Sequence, residues 1–491
     1  MKNTVVIGSG LAGLSSAAYL AKGGQHVTVL EKNDQPGGRV RQFREAGFTF
    51  DMGPSWYWMP DVFERFFAAF GKQPSDYYNL VRLDPSYRVF FGDDHVVDVP
   101  AGEEAVASLF ESMEPGSADQ LREFLAEAKQ KYELSLNSLI YQPGLSFREY
   151  LTPEVIRSIM TLGLFRNISG AIGRRFSNDH IRRILEFPVL FLGAKPASTP
   201  SLYSLMNFAD IVLGTWYPMG GISRIVDGMA DVAREQGVEF RFGEPVKNMT
   251  RVNDRIRVES SAGTYMADSV VAAADYHHIE QQVLTLKDRH YAEKYWNRRV
   301  LAPSALLFYL GVDRKLPGLQ HHNLFFDRDF AQHARQIYDQ PQWPDDPLFY
   351  VCCPSKTDPS VAPEGKENLF VLIPVAPGLA DTEEVRERLF HLVMDRFEQL
   401  LGTPVRPDII LKKSYAHRNF AEDYNALKGN AYGLANTLSQ TAFLKPTMSS
   451  SKMPNLYFAG QLTVPGPGMP PALISGEIAA RQILKTLHPS P

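Results

Sequence analysis

Cysteine is scarce. The 491 residues contain two, the adjacent pair Cys352 and Cys353, which excludes by count a disulfide framework and a four-ligand zinc site. No metal is expected, and inside the apolar run from Leu348 the pair reads as buried strand thiols of a reducing cytoplasm. An excess of one charge is also missing: the formal net charge is -4, and without a recognition motif this gives no general attraction to nucleic acid. Long apolar runs are absent as well. The stretch after Lys2 is interrupted by Gly8, Gly10 and Gly13 with no small-residue cleavage site beyond, so a signal peptide is not expected. The longest uncharged stretch near the end, between Lys452 and Glu477, carries Pro454, Pro465, Pro467, Pro470 and Pro471 and reads as no spanning helix. Repeats and low-complexity tracts are not apparent.

What is present is globular: 44% hydrophobic and 22% charged residues, in a chain long enough for two or three domains sharing a cleft. Residues 3 to 31 read as strand, glycine turn, helix and strand. Residues 103 to 135 and 146 to 187 have helical spacing. The α/β pattern returns at Gly220-Gly221, with a helix through Ile222, Ile225, Val226 and Met229 and strands near 238–242 and 269–273. From 281 to 412, apolar runs suggest a mixed sheet with a helix near 383 to 401. The expected fold class is therefore α/β: a discontinuous Rossmann-like domain (1–75, 211–280 and 413–491), an inserted mixed-sheet substrate domain (281–412), and a helical substrate region (76–210).

Gly8-Ser9-Gly10-Leu11-Ala12-Gly13 fits G-x-G-x-x-G after a strand and at a helix start. The first glycine permits the turn, the second lets a phosphate approach the backbone, and the third lets helix and strand pack. The helix N-terminus adds NH donors and partial positive charge. Glu31, at the end of the second strand, stands where a carboxylate accepts both ribose hydroxyls of an adenosine. NAD and FAD share this opening. Pro36-Gly37-Gly38-Arg39 follows, and its glycine pair and arginine resemble the extended signature of the FAD-containing amine oxidase and phytoene desaturase superfamily. Gly37 and Gly38 would admit a diphosphate, and Arg39 could form a forked contact with it.

Gly47-Phe48-Thr49-Phe50-Asp51-Met52-Gly53-Pro54 resembles the strand and turn that pass the flavin ring in that superfamily, with Gly53 and Pro54 beside the ring. Trp56, Tyr57, Trp58 and Met59 then read either as an apolar wall or as core. Near the end, a strand to Gly460, a Gly/Pro-rich loop through Gly468, Met469 and Pro470, and a helix from Ala472 resemble the C-terminal flavin signature of carotenoid desaturases. Val246 matches the family position whose backbone meets the adenine. The resemblance spans essentially the whole chain and is strongest to the bacterial-type phytoene desaturases of carotenoid biosynthesis; Val464 departs from it, standing where others often place histidine.

The resemblance implies FAD as cofactor and desaturation of phytoene to a more conjugated carotene, lycopene being the expected product. Hydride would pass to the flavin while a proton leaves the neighbouring carbon. It implies a carotenoid substrate, a membrane surface from which to draw it, and a quinone or oxygen as electron acceptor. Another carotenoid desaturase, oxygenase or isomerase, a flavin amine oxidase and a non-catalytic prenyl-protein escort are the alternatives. Glu149, in a family-like segment, is the candidate proton acceptor with Arg148 as its orienter, or both are surface charges. His277 and His417 read as structural. Between 148 and 183, seven arginines stand against three acids among apolar residues, which suggests either peripheral membrane docking or an ordinary amphipathic subdomain.

Overall fold

Short runs from four distant parts of the sequence pair into one parallel sheet. In the computed structural model, which describes residues 2–92, 95–150, 152–153, 167–190 and 195–487, five strands lie in the order Leu456–Phe458, Ser269–Ala272, Asn3–Ile7, His26–Leu30 and Glu239–Arg241. Both faces are covered, as an all-parallel sheet requires. Val6 and Val29 point to one side, where the helix Leu11–Lys22 packs with the helices Ser223–Glu235 and Met469–Leu487. Val5, Ile7 and Leu30 point to the other, toward the antiparallel strands Val246–Val252, Arg255–Ser260 and Thr264–Ala267.

A second sheet of seven strands runs in the order Ile409–Tyr415, Ser304–Val312, Glu367–Val375, Phe349–Cys352, His322–Phe325, Tyr87–Phe90 and Val96–Val99. Neighbours are antiparallel except His322–Phe325 with Tyr87–Phe90. Ser304–Val312 is buried throughout, and its period of two divides it. Leu306, Phe308 and Leu310 face the helix Glu383–Leu401 through Phe390, Val393 and Phe397. Ala305, Leu307 and Tyr309 face the first sheet's side of the molecule. The sheet also takes Tyr87–Phe90 and Val96–Val99 from the region expected to be helical; their alternating apolar residues close its far edge.

The helical region holds Glu103–Met113 and Ser117–Leu134; the backbone is already extended at Glu114 and turns at Gly116 (φ +85°) into the second helix, so the helical spacing from 103 to 135 covers two helices. In the basic stretch from 148 to 183, residues 151 and 154–166, including Arg157 and Arg166, lie outside the described residues. Of the rest, Ile168, Ile172 and Phe176 are buried, Arg175 pairs with Glu127, Arg182 donates to the carbonyl of Phe176 at 2.6 Å, and Arg183 pairs with Asp179 at 2.8 Å. Arg148 and Arg174 are exposed. No described helix is long and apolar enough to cross a membrane.

Candidate functional site

A cavity of about 500 Å³ lies between the two sheets. At one end Gly8 turns with φ +96° and donates its NH to the carbonyl of Leu30 at 2.8 Å. A Cβ on Gly13 would lie 1.9 Å from the Gly8 oxygen, so Gly13 stands behind the cavity and lets the helix approach. A Cβ on Gly10 would meet nothing nearer than 4.0 Å, which leaves the helix N-terminus bare toward the cavity. Gly37 (φ +116°) donates to the carbonyl of Ser9 at 2.8 Å and brings Gly38 and Arg39 to the same wall.

Glu31 is buried, and each carboxylate oxygen is held. Oε2 accepts from the amide and hydroxyl of Ser9, both at 2.8 Å; Oε1 accepts from the amide of Asn33 at 2.9 Å and its Nδ2 at 3.0 Å. Val246 lines the cavity beside it. Arg39 donates from Nη1 to Oε1 of Gln461 at 2.8 Å and from Nη2 to the carbonyl of Asn430 at 3.3 Å, and lies 5.1 Å from the centre of the Tyr424 ring. Among the described residues no carboxylate pairs with it, and its Nε has no partner. Burial pushes its pKa down, opposed chiefly by Asp275. A half-buried guanidinium with a buried spare donor at Nε, a glycine cradle open to a phosphate and a carboxylate beside the helix start together fit an adenine dinucleotide such as FAD.

Gly53 and Pro54 continue the wall; a Cβ on Gly53 would lie 2.8 Å from the Arg39 oxygen. Gly460, Gly468, Met469 and Pro470 meet the cavity from the other side. The last helix begins at Met469, three residues before the expected Ala472. Pro470 and Pro471 fall in its first turn, where a missing NH leaves no bond unmade, and Gly468, at φ +117°, makes the turn into it. This second helix N-terminus favours negative charge in front of it.

Beyond Pro54 the cavity becomes apolar, lined by Trp56, Trp58, Met59, Met206, Leu307 and Leu372 among others. Tyr57 turns away, its hydroxyl 3.0 Å from that of Tyr78. A smaller apolar cavity of about 90 Å³ abuts this end and shares Tyr350, Leu372 and Tyr432 with it.

Glu149 and Arg148 are not part of this lining. Glu149 accepts from the amides of Gly144, Leu145 and Ser146 at 2.9 to 3.1 Å, closing its own turn, and Arg148 points to solvent. The Glu149 carboxylate, expected as a proton acceptor with Arg148 as its orienter, is engaged by local backbone donors, and neither residue is in the cavity lining. His277 sits 3.0 Å from Glu293, and His417 donates to the carbonyl of Ala376 at 2.8 Å. The sequence reading missed Asp275, Asn430 and Gln461 at the arginine. It also missed the Ser55, Tyr350 and His322 chain at the apolar end, which comes together only when the strand 349–352 pairs with 322–325.

Residues 11–484 match the family described as flavin containing amine oxidoreductase. The chain is 42% identical to the carotenoid 3,4-desaturase of Haloarcula japonica over 99% of both proteins. It is 34% identical to the zeta-carotene-forming phytoene desaturase of Myxococcus xanthus, over 99% of this chain and 95% of that one. Among solved structures, an oxidoreductase from Methanosarcina mazei shares the fold with a TM-score of 0.62 and 18% identity, covering 97% of this chain and 99% of its own.

Proposed function

The chain belongs to the flavin containing amine oxidoreductase family and is a carotenoid desaturase, an FAD-dependent oxidoreductase acting on CH–CH bonds; from that premise we propose that it converts phytoene to a more conjugated carotene, ending at lycopene. The observation that carries this reading is the apolar continuity from Trp56 and Trp58 past Leu372 into the adjoining cavity. A hydrocarbon offers no charge or hydrogen bond, so shape and apolar contact must hold it.

Bound FAD supplies the hydride acceptor. Glu31, Gly10 and Arg39 bind the nucleotide end, and the helix start at Met469 favours negative charge in front of it. Trp56, Trp58, Met59 and Leu372 exclude water and hold the chain against the reacting end. A quinone or oxygen takes the electrons onward. Docking of the protein on a membrane surface, from the cytoplasmic side, would bring the cavity to a substrate that water cannot deliver. Four exposed residues support this: Leu145, Phe147, Phe443 and Leu444, joined by a Phe147–Phe443 ring contact at 5.3 Å and flanked by the exposed Arg148.

A second reading, 3,4-desaturation of a carotenoid that is already conjugated, is favoured by the higher identity to the Haloarcula protein. One assay separates the two: purified protein and FAD with liposomes carrying phytoene or lycopene, with a quinone or oxygen, and products read by chromatography and absorbance. Lycopene formed from phytoene supports the first reading. Phytoene left untouched beside a lycopene lengthened in conjugation replaces it with the second.

A further inference from the structure

Desaturation releases a proton as well as a hydride, and Glu149 does not reach the cavity to receive it. At the apolar end of the cavity, a hydrogen-bonded chain leads away from the wall through Tyr350, whose hydroxyl also meets the Cys352 side chain. The Tyr350 hydroxyl lies 2.9 Å from Oγ of Ser55 and 2.6 Å from Nδ1 of His322. Ser55 and Tyr350 line the cavity with Gly53 and Pro54. His322 is fully buried, its ring stacked on Trp56 with centroids 3.9 Å apart and planes at 10°, and among the described residues its Nε2 has no partner.

We propose that Tyr350 and His322 together accept the proton that the carotenoid loses, Tyr350 at the cavity wall and His322 behind it. In the step, one substrate carbon gives up hydride to bound FAD, so the substrate is oxidised and the cofactor reduced. On the neighbouring carbon the C–H bond breaks and its electron pair becomes the second bond of the new alkene. That proton goes to the oxygen of Tyr350 while the hydroxyl proton of Tyr350 moves to Nδ1 of His322. Tyr350 remains a neutral phenol, His322 becomes an imidazolium, and the extra proton returns through Tyr350 to water when the product leaves.

The chemistry asks little basicity of the acceptor. A carbon chain that has lost hydride makes its neighbouring C–H a very strong acid, so position and dryness matter more than a high pKa. Burial, reinforced by neighbouring His321, holds the His322 pKa well below its ordinary value, which keeps the imidazole neutral and ready. A neutral imidazole offers one lone pair and one NH; with Nδ1 receiving from Tyr350, the NH sits at Nε2. The face of Trp56 supports the transient positive charge. The inference rests on carotenoid desaturation and not on which carotenoid is used.

Tyr350→Phe and His322→Gln test it on whichever carotenoid the parent protein desaturates, so a failure of the lycopene assignment leaves the test intact. The expected result is a kcat at least about 100-fold lower in Tyr350→Phe, with KM and FAD affinity unchanged. A kcat within a few-fold of the parent overturns the proposal, as does a parallel loss of FAD affinity. Should His322→Gln fail to fold, Tyr350→Phe, which keeps the ring, decides alone. One ring nitrogen each of His321 and His322 and the Cys352 sulfur lie within 4.8 Å of one another. Stoichiometric metal in the active protein, lost on Cys352→Ser, would engage His322 as a ligand and likewise overturn the proposal.

Discussion

Gly476 rests on the backbone of Ala12: a Cβ built on Gly476 would lie 2.2 Å from the Ala12 carbonyl oxygen and 2.8 Å from Cβ of Ser15. The first and last long helices of the chain therefore meet at contact distance, and each presents its N-terminal end to the cavity. Gly476→Ala should force them apart, with a loss of about 1 to 3 kcal/mol from overpacking and weaker FAD binding. Thermal melts with and without FAD check this; an unchanged midpoint would mean that the two helices can slide at no cost.

Glu31 holds four donors and still lines the cavity beside the helix start. Glu31→Gln keeps the shape but turns an amide NH₂ toward groups that donate, at Ser9 or at Asn33. FAD affinity should fall by about 1.5 to 3 kcal/mol, roughly 10- to 150-fold, measured by quenching of flavin fluorescence. A folded variant with parental affinity would remove Glu31 from the cofactor site.

Lys445 is buried beneath the loop that carries Gly466, its Nζ donating to Oδ1 of Asn436 at 3.0 Å. Burial pushes its pKa from the ordinary 10.5 down to about 7. Between those values the unfolded chain holds a proton at this side chain that the folded protein does not, so stability rises with pH across the window, by about 1.4 kcal/mol per unit at the steepest. Lys445→Met should lack this component, and denaturant midpoints of the two proteins from pH 6 to 10 should converge as pH rises. Parallel curves would show that the ammonium is accommodated without cost.

Leu145→Asp and Phe443→Asp should each weaken binding to phosphatidylglycerol vesicles by about tenfold, the worth of burying one large apolar side chain, and leave FAD affinity intact. Flotation with vesicles measures it. Charge reversal at Arg175 would be a poorer test, because that residue is tied to Glu127 and its loss disturbs a fold contact. Equal vesicle binding by both variants would take this patch out of the docking surface.

Local signals made much of the nucleotide end legible from sequence. Gly8, Gly10, Gly13 and Glu31 fall within one strand-turn-helix-strand unit whose geometry its own residues dictate. The start of the last helix was misread by three residues because prolines, usually breakers, are tolerated in a first turn. Tyr350 and His322 gave no signal at all. Their meeting depends on the register of two strands 27 positions apart, which pairs His322 with Cys352. Glu149 is the opposite case: a carboxylate near a family-like segment looked chemical, and what the sequence did not show is that nearby backbone amides engage it.

The division of the seven-stranded sheet by residue parity separates two demands that usually compete. Even positions of Ser304–Val312, with Phe349, Val351, Leu369 and Val371 on neighbouring strands, lock the outer helix; Ala305, Leu307, Tyr350, Phe370 and Leu372 alternate with them and touch the cavity. Substitutions on the inner set can lengthen, shorten or bend the channel while the outer set keeps the domain standing. A lineage built on this sheet can thus drift between chain lengths and bond positions by exchanging alternate residues, with the scaffold unaware of the change.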